Sequence, residues 1–175
     1  MDAPPAAPSA PLASDDPGTA RAVARHTLAT LAYRAAKAVR GAPPDFATFR
    51  IGLTTRTPGE ILAHMGDLMD WAITMAQDRT QWRERPMQTW TEDVQRLFTG
   101  ISALDEYLAN SPAVGVPVLL QLLQGPIADA LTHTGQLTLL RRLAHAPIRG
   151  ESYQRALIAA GQTRLEQPPP QHEFD

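Results

Sequence analysis

Four stretches of this chain repeat apolar residues at intervals of three and four, and proline or glycine interrupts or bounds each of them. That spacing places the apolar side chains along one stripe of an α-helix and excludes the strict alternation of a half-buried strand. Val23, Ala24, Leu28, Leu31, Ala35, Ala38 and Val39 form the first stripe, within a helix expected from about Thr19 to Arg40. Gly41-Ala42-Pro43-Pro44 ends it, because proline lacks the amide proton and cannot continue a helix. Thr57-Pro58-Gly59-Glu60 reads as a capping box with proline at the first helical position. It opens a second helix running to about Gln77, with Ile61, Met65, Leu68, Met69, Ala72 and Met75 or Ala76 on the apolar side. A third stripe, Trp90, Val94, Leu97, Phe98, Ile101, Leu104 and Leu108, follows Pro86 and stops before Asn110-Ser111-Pro112. The fourth is broken by Gly125-Pro126, which predicts a short lead over Val118–Gln124 and a main helix from Pro126 to about Ala144. A short outer helix is expected from Glu151 to Ala160.

Four long amphipathic helices without strand periodicity predict an all-α fold, an antiparallel four-helix bundle. At 175 residues the chain suits one core. The expected body is 18–163. Residues 1–17, dominated by Pro, Ala, Ser and Asp, and the Pro-rich stretch 164–175 are expected to be disordered tails. Phe174, flanked by acids, is the one tail residue with a reason to dock on the body.

Composition narrows the functions. A formal charge of −2 offers no basic excess for phosphate backbones, so nucleic acid is not an expected partner. No apolar run reaches the roughly 20 residues of a membrane span, and the start has neither the basic nor the apolar region of a signal peptide. With no cysteine, disulfides, thiolate metal sites and a cysteine nucleophile are all excluded, which is compatible with a reducing cytoplasm. A metal would have to use His, Asp or Glu.

Such a set is present. His64 lies three residues after Ile61 and four before Leu68, which puts its imidazole on or beside the core-facing stripe. On the fourth helix Leu122, Pro126, Asp129, His133, Gln136 and Leu140 share one line, so Asp129, His133 and Gln136 interrupt an apolar face. Two ligands one turn apart on one helix and a third from a facing helix can converge on a divalent ion inside a bundle. Two imidazoles and one carboxylate would leave a coordination position open; zinc is the default ion, with nickel, iron(II) and manganese compatible. The same residues can equally form an i, i+4 ion pair and a hydrogen-bonded core histidine. His26, His145 and His172 fall outside the cluster. The methionines read as packing, and Trp71, Trp82 and Trp90 as core or loop anchors. Arg141-Arg142 reads as a solvated helix end.

The segment TPGEILAHMGDLMDWA, followed by GPIADALTHTGQLTLLRRLAHAPI, resembles the DinB/YfiT-like superfamily, over most of residues Thr27 to Tyr153. The resemblance implies a bundle in which a histidine of the second helix joins an H-x-x-x-H pair of a later helix on a divalent metal. His64 matches the first ligand and His133 the last. Asp129 stands where many members have the first histidine of the pair, and Gly135-Gln136 matches the residues that follow, with Gln136 placed to support a ligand or touch substrate. Members include S-transferases and an isomerase that use low-molecular-weight thiols, and metal-dependent hydrolases. The expectation is a metal-dependent enzyme in which His64, Asp129 and His133 hold an ion that activates a small thiol or water towards a small-molecule electrophile. Arg141, Arg149 and Tyr153 are candidates for holding a thiol cosubstrate's carboxylates. The alternatives are a non-catalytic metal- or ligand-binding stress-response module and a helical interaction protein with a buried polar network. A homodimer is compatible with a bundle of this size.

Overall fold

The structure is a computed structural model and describes residues 16–174. It is mostly helical: α1 Pro17–Val39, α2 Pro58–Ala76, α3 Trp90–Asn110, α4 Val116–Leu122 and α5 Ala128–Leu143, with one two-stranded sheet, β1 Gly150–Glu151 and β2 Glu173–Phe174. Among the described residues no helix is long and apolar enough to cross a membrane.

The helix starts follow from capping. Asp16 accepts hydrogen bonds from the amides of Gly18 and Thr19, each at 3.0 Å, and Pro17 takes the first helical position. Asp16 and Pro17 therefore belong to α1, which corrects the end of the expected leader; residues 1–15 of that leader lie outside the described residues. At α2 the Glu60 amide donates to Thr57 Oγ1 at 3.2 Å and the Thr57 amide to Glu60 Oε2 at 2.7 Å. The same reciprocal box joins Thr89 and Glu92 at the start of α3.

The apolar stripes meet in one core. Leu28, Leu31, Leu62, Met65, Met69, Leu97, Ile101, Leu104, Leu119 and Leu122 are wholly buried there. Helix α2 packs on α3, α4 and α5, and α1 packs on α3, α4 and α5. Val23 departs from the expected stripe and is exposed. The proline interruption is deeper than sequence suggests. Between α4 and α5 the chain makes a π-helical turn, Leu123–Ile127, with Gly125 in a non-helical conformation. Pro126 supplies no amide donor here, so α5 restarts at Ala128 with its own register.

Three expectations are corrected at the C-terminal end. Glu151 to Ala160 is not a helix; it holds β1 and one 3-10 turn, Tyr153–Arg155. The cause is long-range bonding: the Ser152 amide donates to the carbonyl of His172 at 3.0 Å, and the buried Glu151 carboxylate accepts from Tyr33 Oη and Lys37 Nζ, both at 2.7 Å. Residues 164–174 are not a disordered tail. Leu165 packs on the core, Glu173 accepts from Lys37 at 2.8 Å, and Phe174 lies so close over Gly150 that a β-carbon there would stand 2.4 Å from its ring. Nor is Arg141 a solvated helix end. It is 5% exposed and donates to the carbonyls of Ala38 at 3.2 Å, Arg40 at 3.0 Å, Gly41 at 3.0 Å and Ala146 at 2.8 Å. It thereby satisfies carbonyls at the ends of α1 and α5.

Candidate metal centre

His64 rides on α2, where buried Ile61, Met65 and Leu68 fix which face of the helix turns inward. Asp129 and His133 come from the first two turns of α5, immediately after the Gly125-Pro126 break. One ligand atom from each of the three residues lies within 4.8 Å of the other two. Asp129 Oδ2 is 3.5 Å from His64 Nε2, and Asp129 Oδ1 is 3.4 Å from His133 Nε2. The imidazole rings stand perpendicular, 5.0 Å between centroids. Each imidazole thus stands near the roughly 3.3 Å that separates two donors on a tetrahedral ion, but each against a different oxygen of Asp129, and the set with one atom per residue is held only within 4.8 Å.

The surroundings favour the ligand form of the His64 imidazole. Burial lowers the His64 pKa, the charges of His133 and Arg56 lower it further, and Asp129 opposes them without prevailing. The ring is therefore neutral at neutral pH, the form that donates a lone pair. Gln136 Oε1 lies 2.8 Å from His133 Nδ1. With that oxygen as acceptor, Nδ1 carries the proton and Nε2 keeps its lone pair towards Asp129 and His64. The His133 side chain is 11% exposed, that of His64 19% and that of Asp129 46%, so the cluster opens to solvent on the aspartate side.

Sequence spacing identified these four residues and missed their neighbours. Trp82 sits edge-on to His64 at 5.7 Å and to Trp71 at 5.7 Å, forming an aromatic wall. It comes from the irregular stretch between α2 and α3, where no periodicity marks a position. A cavity of about 400 Å³ adjoins His64 and is lined by Arg50, Arg56, Glu60, Glu84 and Arg85, among others. The arginines offered by sequence for a cosubstrate lie elsewhere. Arg141 is consumed by backbone carbonyls, Arg149 lies by Glu173 at 3.4 Å, and Tyr153 meets Tyr33 edge-on and carries the Arg34 guanidinium over its ring. None of the three lines the cavity beside His64. His145 ends α5 with a positive φ of 56°, and His172 lies beside Arg155; neither joins the cluster.

Compared with protein-family models, with curated proteins and with solved structures, the chain matches none.

Proposed function

We propose that the chain is an antiparallel four-helix bundle of the DinB/YfiT-like kind whose His64, Asp129 and His133 hold a divalent ion, zinc by default, for catalysis on a small molecule. The observation that carries this reading is the convergence of three donor side chains from two helices within 4.8 Å, with one imidazole already oriented by Gln136. The contacts of α1 and α2 with both α3 and α5 support the bundle. An ion bound there would lower the pKa of a thiol or water, or polarise an electrophile.

The chain's own residues do the rest. Asp129 contributes one negative charge that offsets part of the ion's charge. The Gln136 amide holds the His133 ring so that Nε2 faces the site. Trp82, itself 44% exposed, packs edge-on against His64 and Trp71 on one side, while the cavity beside His64 admits the small molecule. The chain has no cysteine, so a thiol nucleophile would come from a low-molecular-weight cosubstrate and a hydrolytic one from water.

Elemental analysis of the untagged protein tests the first half of the proposal. One equivalent of zinc, nickel, iron or manganese is expected, lost in His64→Ala and in His133→Ala while the circular dichroism of both stays helical. A thiol-transfer assay on a panel of small electrophiles, with and without chelator, tests the second. Metal-free protein with full turnover would sink the proposal; bound metal with no turnover on thiol or hydrolytic panels would leave a binding module in its place.

A further inference from the structure

The cavity beside His64 holds six charged residues whose pairing is uneven. Arg50 bonds to Glu60 at 3.1 Å, Arg85 to Asp70 at 3.4 Å, and Asp67 to Arg96. Two groups are left. Arg56 and Glu84 both line the cavity, both are exposed, and among the described residues neither has an ion-pair partner, including each other. One unpaired cation and one unpaired anion therefore line the same cavity as His64.

We infer that this cavity binds a zwitterionic amino-carboxylate, an α-amino acid or a small molecule ending in one, with its carboxylate on Arg56 and its ammonium on Glu84. Three points favour that class. The volume of about 400 Å³ suits a small metabolite. A guanidinium takes a carboxylate through two parallel N–H bonds, and a carboxylate accepts from an ammonium, so both ligand charges meet a charge-assisted partner. A phosphate or a dicarboxylate would gain Arg56 but face Glu84, which leaves a like charge uncompensated. A ligand without net charge, carrying one charge of each sign, meets neither penalty. With its two charges held there, the ligand lies in the same cavity as His64, the one residue of the three-donor cluster that lines it. The chemistry done on that side chain rests on the proposed metal site; the binding of the two charges does not.

The experiment follows amide NMR shifts on titration with S-methyl-L-cysteine, its methyl ester and its N-acetyl derivative, using both chelator-treated and zinc-loaded full chain. The thioether removes competition from a free thiol for the metal. S-Methyl-L-cysteine is expected to shift resonances around Arg56 and Glu84 in both forms and to bind about tenfold more tightly than either derivative, the worth of one charge-assisted contact. Arg56→Gln should erase the preference over the methyl ester, and Glu84→Gln the preference over the N-acetyl form. Both residues are exposed, so neither change threatens the fold. Equal or absent binding of all three compounds, or preferences that survive the substitutions, overturns the inference. Binding confined to the N-acetyl form and lost in Arg56→Gln overturns it in favour of a simple carboxylate. Charge-selective binding in a protein that takes up no metal upholds this inference and sinks the metal reading; metal uptake without charge selectivity does the reverse.

Discussion

Gln136 stands one helical turn beyond His133 on α5, and its Oε1 lies 2.8 Å from the imidazole Nδ1. The pair links a side chain that touches the candidate ion's position to one that does not. With Oε1 as the acceptor, Nδ1 carries the proton and Nε2 is free. Removing the amide in Gln136→Ala should lower metal affinity about 10- to 100-fold, the usual cost of losing such a support, with no change in helical content. Competition against a chromophoric chelator measures this. Wild-type affinity in the variant would mean that Gln136 is merely a surface residue.

Metal removal should act on stability as well as on activity. A ligand held only by the folded state at about 100 times its Kd stabilises by about 2.7 kcal/mol, which for a chain of this size is roughly 5–10 °C in Tm. Adding a chelator to wild-type protein should therefore lower the melting temperature by that order. The same chelator should leave His133→Ala unmoved. An equal response of both proteins would place the chelator's effect elsewhere.

The network of Tyr33, Lys37 and Glu151 predicts a pH dependence of stability. Burial raises the Glu151 pKa, but the hydrogen bonds from Lys37 and Tyr33 and the Lys37 charge outweigh it, so the folded-state value lies below the ordinary one. The unfolded chain then binds the proton more readily than the folded one. The contribution is whole above the unfolded value of about 4.3 and is lost as pH falls through the depressed folded value. Urea midpoints of wild type should fall below about pH 4.3 more steeply than those of Glu151→Gln. Lys37→Met strands the buried carboxylate and should cost about 3 kcal/mol at neutral pH.

Arg141 separates a structural arginine from a substrate-binding one. Its guanidinium bonds to four backbone carbonyls, and burial lowers its pKa. Arg141→Met should destabilise by about 3 kcal/mol, because buried carbonyls lose charged donors. Its metal content and its binding of S-methyl-L-cysteine should match wild type at a temperature where it stays folded. Loss of ligand binding at unchanged denaturant midpoint would contradict this assignment.

The helices were legible because their causes are local. Thr57 and Glu60 sit three residues apart and cap one another in any chain that turns helical there; Thr89 and Glu92 carry the same signal. Ile61, Met65 and Leu68 lie on one face by spacing alone, which also fixed the side of α2 on which His64 falls. The C-terminal segment was opaque for the opposite reason. Glu151 looks like an ordinary helix former, but its carboxylate is held by Tyr33 and Lys37, more than a hundred residues away in the chain. Arg141 misled in the same way, since nothing in its neighbours announces that the end of α1 lies beside it.

Sequence by itself determined the positions of the four long helical stripes and the turn-spaced Asp129, His133 and Gln136, since helix period and capping depend on residues within a few positions of each other. Only the tertiary structure decided that His64 faces Asp129 at 3.5 Å, that Trp82 packs edge-on against His64, and that Arg56 and Glu84 share a cavity with His64. Those relations depend on how helices pack and where irregular connections come to rest, and no local period encodes either.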